Sequence, residues 1–253
     1  MISLDELKRI AKLKGINNLG NAEKDYLIEI ALLSISRNTK DELVFKGGTC
    51  LAKFYKLARF SQDIDFTLKN DLDLDVLIGK VILDFSSFGI EAEIKDKKKV
   101  HDSFMFTLRL KGPLYTGTTL SLSSLRIDIN MKSSIDMPFF VNNFISIYPD
   151  IPQFSLQIMH EKEILAEKVR AIMKRVKARD IYDLWFLLER GVVFDEKLVE
   201  KKLEYYKEKW SKIEFTKRLN AQKNNWMIEL RSLLESVPNF NDVKKSIVEK
   251  IPK

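Results

Sequence analysis

The chain has 253 residues, 45% of which are hydrophobic, so it can bury the core of one large domain or of two smaller ones. Its single cysteine, Cys50, excludes an internal disulfide and a cysteine-based zinc site, which indicates a reducing compartment. The formal net charge is +7, and residues 151–253 hold 22 Lys and Arg against 16 Asp and Glu. This excess suggests a polyanionic partner, although it can also serve solubility.

The N-terminal sequence MISLDELKRI carries charges where a signal peptide has an apolar core. The longest apolar segment, at residues 76–90, is too short to span a bilayer and contains Lys80 and Asp84. We therefore expect a cytoplasmic protein without a membrane-spanning segment.

Hydrophobic periodicity predicts the elements in chain order. Helices are expected at residues 4–13, 23–37, 51–57 and 72–85, and strands at residues 43–45, 64–68, 91–95, 104–110 and 120–131. After Pro149 and Pro152 glycine almost disappears and the pattern becomes helical, beginning with a helix at residues 161–176. We expect an α/β domain at residues 1–155 and an all-helical domain at residues 156–253.

A lysine and two glycines follow the predicted strand at residues 43–45. Glycine lets the backbone pass close to a ligand, and the amides that open the next helix attract phosphate. The segment Lys46, Gly47, Gly48 and Thr49 is not a P-loop, in which the lysine follows the glycines. We interpret it as a nucleotide-binding turn, and an ordinary strand-to-helix turn is the alternative.

Three aspartates in the first half form a candidate metal site. Asp63 and Asp65 alternate with apolar residues on a predicted strand and should share one face. Asp128 takes the same kind of position in the later strand LRIDINM. Oxygen ligands of this type suit magnesium or manganese, and the ordered set suggests two-metal phosphoryl transfer.

Simpler interpretations exist for these acids. A D-x-D pair and an isolated strand aspartate often do no more than cover a solvent-facing sheet surface. His101 and Asp102 resemble a metal-hydrolase dipeptide, but the chain has only two histidines, and His160 is distant in sequence. We therefore base the metal prediction on the ordered combination of the glycines and the three aspartates.

Lys168 falls inside the apolar stripe of the helix predicted at residues 161–176. An ammonium group there is costly unless the side chain extends to solvent or finds an anion. A triphosphate could be that anion. The alternative is a lysine whose aliphatic stem covers the edge of the stripe.

The segment RDIYDLW places Arg179 among other basic residues, directly before Asp180 and Asp183. In the functional interpretation Arg179 contacts phosphate, while one aspartate orients Lys168 or polarises an attacking hydroxyl. In the structural alternative Asp180 is a helix N-cap and Asp183 is a favourable acid in the first turn.

These segments together resemble the AbiEii/AbiGii family of nucleotidyltransferase toxins, relatives of the MenT toxins. The resemblance covers residues 45–189 and rests on KGGTCLAKFY at 46–55, RFSQDIDF at 59–66, RIDI at 126–129, EKVRAIMKR at 167–175 and RDIYDLWFLL at 179–188. The first three segments also match the wider polymerase-β-like nucleotidyltransferase superfamily. The chain departs from the family in having GGT where a glycine-serine pair is usual.

The resemblance implies an α+β fold, with a mixed sheet flanked by helices in a polymerase-β-like nucleotidyltransferase core, followed by an all-helical C-terminal domain. It also implies that Gly48, Thr49 and Ser61 line a triphosphate pocket, that Asp63 and Asp65 bind Mg²⁺ or Mn²⁺, and that Lys168 and Asp183 complete the site. Asp128 is the expected third metal ligand.

The expected function is NTP-dependent nucleotidyl transfer to RNA, with the 3′ end of tRNA as acceptor, by the toxin of a toxin–antitoxin or phage-defence pair. A cognate antitoxin protein is the expected partner. Two alternatives remain open: nucleotidyl transfer onto a protein hydroxyl, and a non-catalytic RNA-binding adaptor whose carboxylates are structural.

Overall fold

The computed structural model describes residues 1–100, 102–132, 134–175 and 177–252. His101, and Val176 at the end of a predicted helix, lie outside these ranges. The chain forms two compact units. The sheet unit comprises Met1–Cys50, Gln62–Lys132 and Phe140–Ile158, and the helical unit comprises Leu51–Ser61, Ser133–Phe139 and Met159–Lys253.

The sheet unit is built on seven strands: β1 (Leu43–Lys46), β2 (Ile64–Leu68), β3 (Ala92–Val100), β4 (Ser103–Leu110), β5 (Ser123–Asn130), β6 (Phe140–Phe144) and β7 (Phe154–Ile158). Their order in the sheet is β3-β4-β5-β2-β1-β7-β6. β2 runs parallel to β5 and β1 runs parallel to β7, whereas the other neighbours are antiparallel. The sheet is therefore mixed.

Four helices begin in this part of the chain: α1 (Leu4–Leu13), α2 (Leu19–Asn38), α3 (Gly47–Phe54) and α4 (Leu74–Ser87). α2 is buried at most positions from Ala22 to Ile35, and its buried residues include the charged Glu23, Asp25 and Glu29. It contacts α1, α4, β5 and β7. α2 therefore lies at the centre of the core of the sheet unit.

The helical unit contains α5 (Glu161–Lys174), α6 (Ala178–Glu189), α7 (Glu196–Glu204), α8 (Lys212–Ala221), α9 (Trp226–Leu230) and α10 (Phe240–Lys250). α5 contacts α6, α7 and α8, and α6 contacts α9 and α10, so these two helices form the core of the unit. Trp226 is buried, packs against the ring of Phe240, and donates its indole N–H to the carbonyl of Pro238 at 2.8 Å.

The predicted α+β class is confirmed, because the described residues form a seven-stranded mixed sheet and ten α-helices. Several element bounds differ from the prediction, among them the start of α2 at Leu19 and the end of β3 at Val100. α3 begins at Gly47 rather than at Leu51, and β6 and β7 were not predicted. Within the described ranges, no helix is both long enough and apolar enough to cross a membrane.

Candidate active site

Gly47 directly follows β1, and its backbone adopts a left-handed conformation with φ +75°. A Cβ atom at this position would lie 2.9 Å from the carboxyl carbon of Asp65 and closer still to its Oδ2. The strand register explains this approach, because Lys46 of β1 pairs with Asp65 of β2. Glycine is therefore the residue that lets the Asp65 carboxylate lie against the first turn of α3.

β2 and β5 place carboxylates side by side on one face of the sheet. Ile64 and Phe66 are 0% exposed, and Asp65 between them points to the opposite face. Asp63 precedes β2 by one residue and shares the side of Asp65, because side chains alternate along an extended chain. In the parallel pairing of β2 with β5, Asp65 is in register with Asp128. The fold thus brings the three predicted acids into one neighbourhood.

Asp128 already has two partners in this neighbourhood. The hydroxyl of Ser103 donates to Oδ1 of Asp128 at 2.5 Å, and the guanidinium of Arg126 lies 3.2 Å from Oδ2. In the described part of the chain, no three Asp, Glu, His or Cys side chains are grouped so as to hold a metal ion. The role of Asp128 as a metal ligand stays a prediction.

Asp63 and Asp65 could hold a divalent cation without a third protein ligand. Mg²⁺ is commonly bound through one or two carboxylates, with water and substrate phosphate oxygens supplying the other ligands. Two oxygen-donor side chains on one face satisfy that requirement without a third protein ligand. Asp63 and Asp65 are therefore the residues that would hold a divalent cation, together with the phosphates of a nucleotide.

A hydrogen bond joins the predicted phosphate-binding turn to the segment that carries Asp63 and Asp65, which is called the acidic strand below. Thr49 is 1% exposed, and its hydroxyl donates a hydrogen bond to the backbone carbonyl of Asp63. Lys46 is 6% exposed and shares the face of Asp65, its partner across the two strands. Gly48 is also buried, between Gly47 and Thr49. The turn therefore supports the position of both acids.

Sequence reasoning missed Lys24 on α2. Its side chain is half-buried and lies close enough to Asp63 to interact electrostatically with that carboxylate. Burial lowers the pKa of Lys24, while the charges of Asp63 and Glu23 act in the opposite direction. The carboxylate of the neighbouring Glu23 accepts a hydrogen bond from the backbone N–H of Leu114 at 2.7 Å, which fixes the position of the Glu23 side chain. The sequence does not predict that Lys24 lies near Asp63, because Lys24 is a single lysine that belongs to no motif.

The helical unit holds Lys168 in a cage of carboxylates. Lys168 is 9% exposed, and its ammonium donates to Asp180 Oδ1 at 2.9 Å and lies 2.7 Å from Asp183 Oδ2. The anions that a lysine in an apolar stripe requires are therefore these two aspartates. An ammonium has three N–H donors, so one of them has no partner among the described residues.

Arg59 completes this cage, and sequence reasoning assigned it no role. Its Nε and Nη2 atoms donate to the two carboxylate oxygens of Asp183 at 2.5 and 2.7 Å, in a bidentate arrangement. Its Nη1 donates to the carbonyl of Phe60 at 2.9 Å, which orients the guanidinium plane. Arg175 lies at the other end, with Nε 3.2 Å from Asp180 Oδ2. The cage therefore alternates cations and carboxylates.

The charges of the cage determine its protonation. Burial alone would raise the pKa of Asp180 and of Asp183, but the neighbouring cations hold both pKa values below the usual range. Burial alone would lower the pKa of Lys168, but the two aspartates keep that pKa raised. Both acids are ionised and Lys168 is protonated at neutral pH.

The alternative in which Asp180 caps a helix is wrong. α6 begins at Ala178 after the N-cap residue Lys177, so Asp180 lies inside the first turn, where its side chain binds Lys168. Arg179 lies in the same turn and is half-buried. Ser61, predicted to line the triphosphate pocket, belongs to the helical unit and follows Arg59 by two residues.

Several solved structures share this fold. MenT4, a nucleotidyltransferase toxin from Mycobacterium tuberculosis H37Rv, aligns with a TM-score of 0.67 and 18% identity over 96% of this chain and 87% of that one. A proposed nucleotidyltransferase from Helicobacter pylori aligns with a TM-score of 0.60 and 21% identity over 90% of this chain and 91% of that one. JHP933 from Helicobacter pylori gives 0.55 and 19%, over 91% and 89% of the two chains.

No curated protein matches the sequence. The model of one protein family matches residues 31–246, and this family is described as the nucleotidyl transferase AbiEii toxin of type IV toxin–antitoxin systems. The matched range covers most of the chain and includes every residue of the two clusters described above except Glu23 and Lys24. The chain belongs to the AbiEii family of nucleotidyltransferase toxins.

Proposed function

We propose that this protein is a toxin that transfers a nucleotide from an NTP to RNA, with the 3′ end of tRNA as the acceptor and pyrophosphate as the second product. The observation that carries the proposal is the placement of Asp65 between Gly47 and Asp128. Carboxylates that share one face next to a glycine turn are suited to a nucleotide triphosphate and its divalent cation.

Each group has a defined task in this proposal. Asp63 and Asp65 would hold Mg²⁺ or Mn²⁺, which when bound neutralises the triphosphate and activates the attacking oxygen. Lys46, Gly47 and Gly48 would contact the phosphates, and the hydrogen bond from Thr49 to the carbonyl of Asp63 keeps the acidic strand in place.

Four further residues named in the proposal belong to the helical unit: Ser61, Lys168, Arg179 and Asp183. The third N–H donor of Lys168 is available for a phosphate oxygen, and Asp183 holds the lysine in position. Ser61 and Arg179 would contact the triphosphate. Because the acceptor is a polyanion, the positive excess of residues 151–253 favours its binding.

The biological setting follows from the family. An antitoxin partner is expected for a type IV toxin–antitoxin system. We propose that the protein acts in the cytoplasm, where modification of tRNA 3′ ends would block aminoacylation and halt growth, and that this arrest serves phage defence.

The proposal is tested by incubating the protein with each NTP labelled at the α-phosphate, Mg²⁺, total tRNA and a protein lysate. Label is expected in tRNA, and it should be lost in Asp63→Asn but retained in Asp71→Asn, which changes an exposed aspartate of the loop after β2. Label in protein would establish a protein hydroxyl as the acceptor. Salt-dependent RNA binding without any label transfer would identify a non-catalytic adaptor.

A further inference from the structure

The two edge strands of the sheet differ in charge. In the part of the chain that the structure describes, the terminal strands of the sheet are β3 and β6. An edge strand can pair with a strand of another molecule, and proteins commonly prevent this with lysines or with a β-bulge. β3 has both features, because its register with β4 shifts between Ile94 and Asp96 and it carries four exposed lysines: Lys95, Lys97, Lys98 and Lys99.

β6 has neither of these features. Its register with β7 is continuous from one end of the strand to the other. The segment 140–147, FVNNFISI, contains no charged side chain and is called the β6 edge below. Four of its apolar residues are exposed, with exposed fractions of 45% for Phe140, 65% for Val141, 75% for Ile145 and 54% for Ile147. An uncharged, apolar edge of this kind is suited to pairing with another strand.

The side chains of the β6 edge alternate between the two faces of the sheet. Every second residue of β6 pairs with a buried residue of β7, as Asn142 does with Leu156, and these residues lie on the core face. Val141, Asn143 and Ile145 alternate with them and therefore lie on the outer face. All three are exposed. The outer face of the β6 edge thus carries one asparagine with an apolar residue on each side.

These three outer residues are complementary to a second copy of themselves. In an antiparallel pair of two β6 edges with a two-fold axis at Asn143, each Val141 lies opposite Ile145 of the other strand. Apolar side chains then pack against each other at both positions, and the two Asn143 amides lie side by side, where they can hydrogen-bond. Neither strand brings a charge into this contact, so the pair forms without repulsion between its side chains.

We propose that two copies of this chain form a dimer by joining their sheets through an antiparallel pair of β6 edges centred on Asn143. A charged strand of another protein would find no counter-charge in the β6 edge, whereas a second copy offers the same uncharged, apolar residues. A two-fold contact between identical surfaces is also the commonest arrangement of protein homodimers. The inference concerns assembly and does not depend on the proposed function.

Sedimentation velocity of the full chain over a range of protein concentrations tests this dimer. The wild type is expected to change from monomer to dimer as its concentration rises. Val141→Lys and Ile145→Glu each place a charge against an apolar side chain twice in the dimer, so each should raise the dissociation constant of the dimer about tenfold or more. Leu83→Lys is the matched control, because it changes an exposed apolar residue of α4 in the same unit and should leave the dimer unchanged.

A mixture of the two variants tests the register of the pair. When a Val141→Lys chain pairs with an Ile145→Glu chain about Asn143, the new lysine lies opposite the new glutamate, and the other half of the contact keeps Ile145 opposite Val141. The mixture should therefore form a heterodimer more tightly than either variant forms a homodimer.

A wild-type chain that stays monomeric at the highest concentration would overturn the proposal, whatever other protein binds the strand. A dimer that both charged variants form as tightly as the wild type would also overturn it, because the interface would then lie elsewhere. A heterodimer that is no tighter than the two homodimers would overturn the pairing about Asn143.

Discussion

The carboxylate of Asp65 lies against Gly47 so closely that a Cβ atom at position 47 would be 2.9 Å from the carboxyl carbon. Gly47 directly follows β1, Asp65 lies in the antiparallel neighbour β2, and the two residues belong to different sequence motifs. Their contact links the glycine turn to the acidic strand, and a substitution at position 47 must therefore disturb Asp65 as well as the local backbone.

Gly47→Ala should destabilise the protein and reduce nucleotide binding. A left-handed conformation costs a non-glycine residue about 1–2 kcal/mol, and the forced displacement of Asp65 should add at least about 1 kcal/mol. Gly117→Ala is the control, because Gly117 also has a positive φ, +88°, but a Cβ there meets no atom within 4 Å. Urea denaturation of both variants measures the difference, and equal losses would show that Asp65 does not constrain position 47.

Lys24→Ala should weaken the binding of NTP. A half-buried ammonium next to Asp63 is placed to neutralise phosphate charge, so its removal is expected to raise the KM for NTP about tenfold. Lys80→Ala on α4 removes an exposed lysine of the same unit and should leave the KM unchanged. Identical KM values for the two variants would show that Lys24 does not contact the nucleotide.

Lys168→Met should cost stability as well as activity. The substitution leaves Asp180 and Asp183 buried with fewer counter-charges, and breaking a buried ion pair typically costs about 3–5 kcal/mol. Loss of activity in this variant thus has to be measured where the protein is still folded. Denaturant unfolding together with NTP titration separates the two effects, and an unchanged free energy of unfolding would contradict the buried cage.

The stability of the helical unit should fall in acid through Asp136. Although burial alone would raise the pKa of Asp136, hydrogen bonds from Lys201, Ser134 and Lys202 lower it to about 2. Because the folded-state pKa lies below the unfolded value of about 3.9, the stabilisation is complete above that value and is lost as the pH falls towards about 2. Asp136→Asn should therefore lower the melting temperature near pH 6 and converge with the wild type near pH 2. Parallel curves over this range would contradict the assignment.

The sequence predicts the alternating strands well, because each has a run of apolar residues on one side. β2 and β5 both show this alternation, so the outward-facing positions of Asp65 and Asp128 were predictable. The register in which β2 pairs with β5 was not. α3 begins earlier than predicted because its first two residues are glycines, which disfavour helices, so the sequence does not indicate its first turn. β6 and β7 were missed because their segments lie near prolines, which are typical of loops.

The sequence also predicts the contacts of the site residues only in part. The apolar stripe around Lys168 indicates that this lysine needs an anion, but the choice of Asp180 and Asp183 depends on the packing of α6 against α5. Arg59 and Lys24 are single charged residues without a periodic signal. Their positions depend on contacts far apart in sequence, which only the folded chain reveals.

The most direct test of the central claim is sequencing of tRNA 3′ ends after incubation of the protein with NTPs and Mg²⁺. The proposed function predicts added nucleotides at the 3′ ends with the wild type, and unmodified ends with Asp63→Asn or after chelation of the metal. Unmodified 3′ ends in all three samples, with the wild-type protein folded and able to bind NTP, would contradict it.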